Sequence, residues 1–136
     1  MIIIRIWHQK LLPHLPRQQL LGAHRECCAL RGAGWGRKHS VVDYVFTHEP
    51  ELLVAYHYLV MDEMKRRGYH PDTIWYNPEY RGSALGHVSA WADADMVDDQ
   101  YMYATHKDGI IYPEHDDKYL QECIDNLRSK NIEIVI

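Results

Sequence analysis

Glu26 is the residue whose type and surroundings most invite a chemical reading. It is the only acid among residues 1–40, where Arg5, Lys10, Arg17, Arg25, Arg31, Arg37 and Lys38 supply seven bases. That surplus is reversed in residues 41–136, which hold eight bases and eighteen acids and bring the chain to −4. A basic lobe on an acidic body suits a polyanion on one face and solubility on the other. A carboxylate facing phosphates weakens simple binding. Its use there would be to stabilise a developing positive charge or to move protons. On a helix its neighbours three and four residues away are Gly22, Ala23, Ala29 and Leu30, none of them charged. By these surroundings alone Glu26 reads as a solvent-facing or capping residue.

Other side chains extend the polyanion reading. Arg25 is suited to holding a phosphate. Gln18 falls on roughly the same helical face, where it could hydrogen-bond a base edge or phosphate, and Arg17 adds charge nearby. Arg37, Lys38 and His39 follow Gly32, Gly34 and Gly36, a hinge-like arrangement for closing basic groups over a nucleic-acid backbone. Trp35, set between glycines, could stack on an unstacked base, though a tryptophan there more commonly plugs a core.

Metal chemistry has less support. The chain has ten histidines and clusters such as His48-Glu49 and Glu114-His115-Asp116-Asp117, but no HExxH or CxxC spacing. No metal site and no cofactor are expected. Cys27 and Cys28 lie on an apolar helical stripe, which suits packing rather than nucleophilic chemistry. Three cysteines, two of them adjacent, make a poor disulfide framework, so a reduced, cytoplasmic protein is expected.

These residues must be positioned by helices. A chain of 136 residues with 46% apolar and 25% charged residues has the makings of one globular domain, not of disorder. Its basic lobe spans residues 1–40 and its acidic helical body residues 41–136. No apolar run approaches a membrane span. The Ile2–Ile4 run is broken by Arg5 and lacks a preceding basic stretch, so no signal peptide is expected. The spacing predicts a helix from about Pro16 to Leu30, with Leu20, Leu21, Cys27, Cys28 and Leu30 as its stripe. A second runs from Pro50 to Gly68 on Leu52, Leu53, Tyr56, Leu59, Val60 and Met64. Residues 113–131 repeat its chemistry, matching Pro113-Glu114 to Pro50-Glu51 and Asn131 to Gly68. Residues 75–109 show no clear periodicity and read as a long functional loop or an unrecognised element. Ile2–Ile6 and Ile132–Ile136 alternate like strands and could pair as a small two-stranded sheet. The expected class is all-α, with at most that pairing.

The string Leu15-Pro16-Arg17-Gln18-Gln19-Leu20-Leu21-Gly22, continuing through His24-Arg25-Glu26-Cys27-Cys28-Ala29-Leu30-Arg31-Gly32 to Gly34-Trp35-Gly36-Arg37-Lys38-His39, is highly specific. It resembles a group of small bacterial proteins similar to the pyrimidine-dimer DNA glycosylases of the endonuclease V type. The close resemblance covers about residues 4–82, and weakly 110–132. The link to the characterised enzyme rests on Gln18, Arg25-Glu26, Arg37-Lys38-His39 and Arg67-Gly68-Tyr69. The resemblance implies a compact all-α domain acting on pyrimidine dimers or abasic sites in damaged duplex DNA. It implies an N-terminal α-amine, here on Met1, that attacks the sugar C1′ and forms an imine, followed by β-elimination. An α-amine with a pKa of about 7.7–8.0 is roughly a tenth free base at pH 7 and needs little tuning as a nucleophile. Glu26 then takes the catalytic carboxylate's role, with Arg25 beside it. Gln18, Arg17, Arg37, Lys38 and His39 contact DNA. Relatives begin near Ile4, so Met1 lies about 10 Å of extended chain beyond the family's amine, with Lys10 and Lys38 as substitute amines. A non-catalytic nucleic-acid-binding module is the alternative. It would lose nothing on Glu26→Gln, whereas the enzyme would lose cleavage.

Overall fold

The computed structural model describes residues 6–37 and 42–136. Four helices carry the chain: α1 (Arg17–Arg31), α2 (Pro50–Arg66), α3 (Ala94–His106) and α4 (Asp117–Arg128). Short 3-10 segments span Gln9–His14, Asp43–Thr47 and Thr73–Tyr76. Met1, Lys38 and His39 lie outside the described residues, as does most of the Ile2–Ile6 run. Among the described residues there is no strand; Ile132–Ile136 forms none, and only an isolated bridge joins Tyr80 to His87.

The central element is α2, which packs against both α1 and α3. Its N1 residue is Pro50, whose missing N–H leaves no donor unpaired. Tyr56, His57, Val60, Met61 and Met64 are all buried, so the helix is covered on more than one side. On α1 the buried residues Leu20, Ala23, Cys27 and Leu30 recur at three- and four-residue steps, the stripe that faces α2. Gly68 and Asn131 both take positive φ after their helices, 86° and 62°.

The repeat between α2 and residues 113–131 ends there. Pro113 and Glu114 precede α4, whose N-cap is Asp116, accepting from Tyr119 N at 2.8 Å. The residues between 75 and 109 contain α3, capped by Asp93, whose Oδ1 accepts from Asp95 N and Met96 N. Asp62 on α2 fixes this helix by accepting from the hydroxyls of Tyr101 and Tyr76.

The segment before α1 is clamped to the one before α4. Gln9 donates through Nε2 to Gly109 O (2.7 Å) and accepts at Oε1 from Ile111 N (2.9 Å). Its backbone N–H donates to His115 Nδ1 at 3.1 Å. His115 therefore carries its proton on Nε2 and donates to the Tyr44 hydroxyl at 2.8 Å. Burial, with His8 adding to it, pushes His115 down to about 3. The acidic cluster around His115 thus serves packing: Glu114 pairs with His48 at 2.8 Å and Asp116 caps α4.

At the far end of α2, Glu63 accepts from Arg66 and Arg67, and Arg67 Nη1 donates to Leu15 O at 2.7 Å. This ties the helix terminus to the entry of α1. Burial raises the Glu63 pKa, but the hydrogen bonds and charges of Arg66 and Arg67 outweigh it and hold the carboxyl below its ordinary 4.5. Its contribution is complete above that ordinary value and is lost as pH falls through the lower folded one. Glu63→Gln should therefore cost about 1–2 kcal/mol at pH 7, and less below pH 4. Denaturant unfolding at the two pH values checks this.

Candidate nucleic-acid interface

The outward faces of α1 and the loop after it carry the candidate residues. Arg17, Gln18, Arg25 and Arg37 are exposed, and Glu26 is half-buried. Gln18 and Arg25 share a face, and the Arg25 guanidinium passes over Gly22, where an added Cβ would meet Nη2 at 3.8 Å. The Arg17 guanidinium sits 5.5 Å from the centre of the Tyr69 ring. Glu26 is turned partly inward. Its charge opposes ionisation of the buried Cys27 thiol and Tyr56 phenol, after larger effects of burial. The helix thus presents a carboxylate at the border of core and solvent beside the exposed Arg17 and Arg25. Lys10, a substitute amine in the sequence, is exposed in the 3-10 segment beside Asp108 and Gly109.

The glycine-rich connection is a hydrogen-bonded turn, where flexibility was expected. Gly32 N donates to Cys28 O and Ala29 O, Gly34 N to Ala29 O, and Arg37 N to Gly34 O. Glycine at 34 is a matter of space: a Cβ would lie 2.6 Å from Ala29 O. Arg81 braces the turn from outside, donating to Arg31 O and Gly32 O while its guanidinium stacks on Trp91. Trp35 is half-buried and packs edge-on against Phe46 and Trp91, so it plugs the core. Gly34→Ala should push the turn off the end of α1, costing about 1–3 kcal/mol. Thermal unfolding should show that loss.

Arg31 departs from the basic face altogether. It has no exposed surface and points inward, its guanidinium donating to Trp75 O (2.6 Å), Asn77 O (2.7 Å) and Tyr80 O (3.0 Å). Its neighbour on the same side is His57, fully buried on α2, with Nδ1 3.1 Å from Arg31 Nη1. His57 in turn meets His24 and Cys28 of α1. Cys28 is therefore half-buried against imidazoles, not part of the apolar stripe, while Cys27 and Cys123 are buried in the core. Burial, with Arg25 and Arg31, lowers His24; burial, with Arg31 and His24, lowers His57 well below the ordinary value. Burial pushes the Cys28 thiol up to about 12 against the opposing pull of Arg31. Sequence reasoning missed this group; the signal available was the one-turn spacing of His24 and Cys28.

The other conspicuous concavity is unrelated to α1. A cavity of about 550 Å³ is lined by Glu51, Asn77, Glu79, Ser89 and Asp93, with no residue of α1 among its walls. Its acidic lining is the wrong sign for phosphate. The candidate interface is thus the exposed side of α1 and the turn following it, outside that cavity.

A family model described as pyrimidine dimer DNA glycosylase matches residues 4–77, from ahead of α1 to the end of the 3-10 segment after α2. Neither the curated proteins nor the solved structures give a match.

Proposed function

The chain belongs to the pyrimidine dimer DNA glycosylase family, and from that premise we propose that it is a DNA glycosylase and AP lyase. Its substrates are pyrimidine dimers or abasic sites in duplex DNA. The observation that carries the reading is the coincidence of the matched residues with α1, whose accessible side holds Glu26 beside Arg25 at the edge of an otherwise acid-free basic segment. The reaction uses a neutral amine, assigned to Met1. Its nitrogen bonds to C1′ as the glycosidic bond breaks and the base leaves with a proton. Opening of the sugar ring gives a protonated imine. Removal of a 2′ proton then expels the 3′ phosphate, which cleaves the strand. Glu26 stabilises the cationic sugar and iminium and shuttles protons at C2′ and the ring oxygen.

Arg25 holds the phosphate beside the reacting sugar, and Arg17, Gln18, Arg37, Lys38 and His39 contact the backbone or base edges. Those contacts make association fall steeply with salt. Borohydride reduction during reaction with abasic and dimer-containing duplexes tests the reading, because it fixes the imine as a stable adduct. Mass spectrometry of the linked peptide should place the adduct on Met1. A lysine adduct at Lys10 or Lys38 reassigns the nucleophile. Absence of any adduct, with binding retained, leaves a non-catalytic DNA-binding module.

A further inference from the structure

His24 and Cys28 stand one turn apart on α1, and His57 reaches them from α2. His24 Nδ1 and His57 Nε2 are 2.8 Å apart, and Cys28 Sγ lies 4.0 Å from the first and 3.9 Å from the second. All three donor atoms fall within 4.8 Å of one another. We propose that His24, Cys28 and His57 form a site for one thiophilic transition-metal ion of the zinc class, with a fourth position left for water or an added ligand. The proposal does not depend on the glycosylase reading.

The triangle has nearly the right size. A tetrahedral ion at 2.0–2.1 Å from nitrogen and 2.3 Å from sulfur holds its nitrogens about 3.4 Å apart and nitrogen from sulfur about 3.6 Å apart. The observed separations differ from these by about half an ångström, within the reach of small side-chain rotations. The donor set of two imidazoles and a thiol selects zinc-class ions over magnesium or calcium, which prefer oxygen. The position of the ligands on two packed helices also matters. An ion here would pin α1, the helix bearing Arg25 and Glu26, to the central α2.

Arg31 sets the proton arrangement before the ion enters. A guanidinium only donates, so His57 Nδ1 accepts from it and Nε2 carries the ring proton. That proton is donated to His24 Nδ1, which leaves His24 protonated on Nε2 and its Nδ1 lone pair already aimed into the triangle. On binding, the Cys28 thiol proton goes to solvent and a sulfur–metal bond forms. His57 gives up its Nε2 proton and takes one on Nδ1, so one proton is released for each ion bound. Arg31 Nη1 then lets go of the ring and keeps Trp75 O, while Nη2 keeps Asn77 O and Tyr80 O. The nearby guanidinium repels a bare cation, which makes the negative thiolate indispensable. Ions that bind without thiolate are excluded on the same ground.

The test uses the full-length, reduced, metal-stripped protein and Co²⁺ as a spectroscopic probe. One equivalent should bind with a cysteinate-to-cobalt charge-transfer band and the intense visible bands of a four-coordinate site. Zn²⁺ should displace it stoichiometrically and raise the unfolding temperature. Cys28→Ser, nearly isosteric, should remove the charge-transfer band and lower affinity at least about 100-fold, more than the loss of an outer-shell partner does. His24→Gln should weaken binding likewise, while His106→Ala on the exposed end of α3 should change nothing. No saturable binding by the unaltered chain, a six-coordinate spectrum, or a charge-transfer band that survives Cys28→Ser would overturn the proposal.

Discussion

Glu26→Gln is expected to lower strand cleavage at abasic and dimer sites by about 100-fold or more, with duplex affinity unchanged or improved. The amide keeps the volume and one acceptor of the carboxylate but removes the charge. Glu26 is half-buried on α1, where its field already reaches Tyr56 and Cys27 in the core. A charge at such a border acts through a medium less screening than water, so a developing iminium nearby gains more from it than from an exposed acid. If the proposed reading holds, the same charge lies near phosphates in the bound ground state and opposes association, so its removal should not weaken binding. Single-turnover cleavage and binding isotherms, measured on the same duplexes, separate the two effects. A cleavage rate that falls only in step with affinity would remove Glu26 from the chemistry. Arg25→Ala should do the opposite, weakening association and reducing the salt slope by about one.

The helices legible in the sequence were those with a wide apolar stripe. Leu20, Cys27 and Leu30 on α1, and Leu53, Tyr56, Val60 and Met64 on α2, follow the 3.6-residue period closely enough to be read directly. The helix α3 was hidden because its buried stripe is narrow. Only Val97 and Ala104 are buried, with Tyr101 between them, while Met96, Met102 and Tyr103 are exposed and blur the pattern. Its clearest mark was the Asp93 cap, one acid among several in that stretch. The start of α4 was misplaced for a related reason. Pro113-Glu114 copies the chemistry of a helix entry, but Gln9 and Tyr44 hold His115 in the core, and the helix begins only after that anchor. Burial of charge was the least legible property. In one dimension Arg31 is indistinguishable from Arg25, six residues earlier. What separates them is the Trp75–Tyr80 segment, which brings three carbonyl oxygens to Arg31 from far along the chain. His57, embedded in an apolar run, likewise gave no sign that it faces His24 and Cys28.

Arg31→Met is expected to cost about 3–5 kcal/mol, near the top of the range for one substitution. For a chain of 136 residues this corresponds to a fall of roughly 10–15 °C in unfolding temperature. Methionine fills much of the space but leaves Trp75 O, Asn77 O and Tyr80 O without the buried donors that now reach them. The stacking of the guanidinium on the Trp75 ring, 5.0 Å from its centroid, is lost as well. Lysine should rescue little, since a single ammonium cannot span three carbonyls as a planar fork does. Burial lowers Arg31 to about 10, still above neutrality, so the loss is nearly constant between pH 6 and 8. Hydrogen exchange should show where it falls: amides of residues 75–82, which hang on Arg31 and Arg81, should lose protection before those of α3. The same variant separates the two kinds of arginine on α1. Arg25→Ala should change the salt dependence of DNA binding and leave stability nearly untouched. Arg31→Met, measured well below its unfolding temperature, should leave the salt slope where it was. A reduced slope for Arg31→Met would mean that the guanidinium reaches phosphate, contrary to its burial.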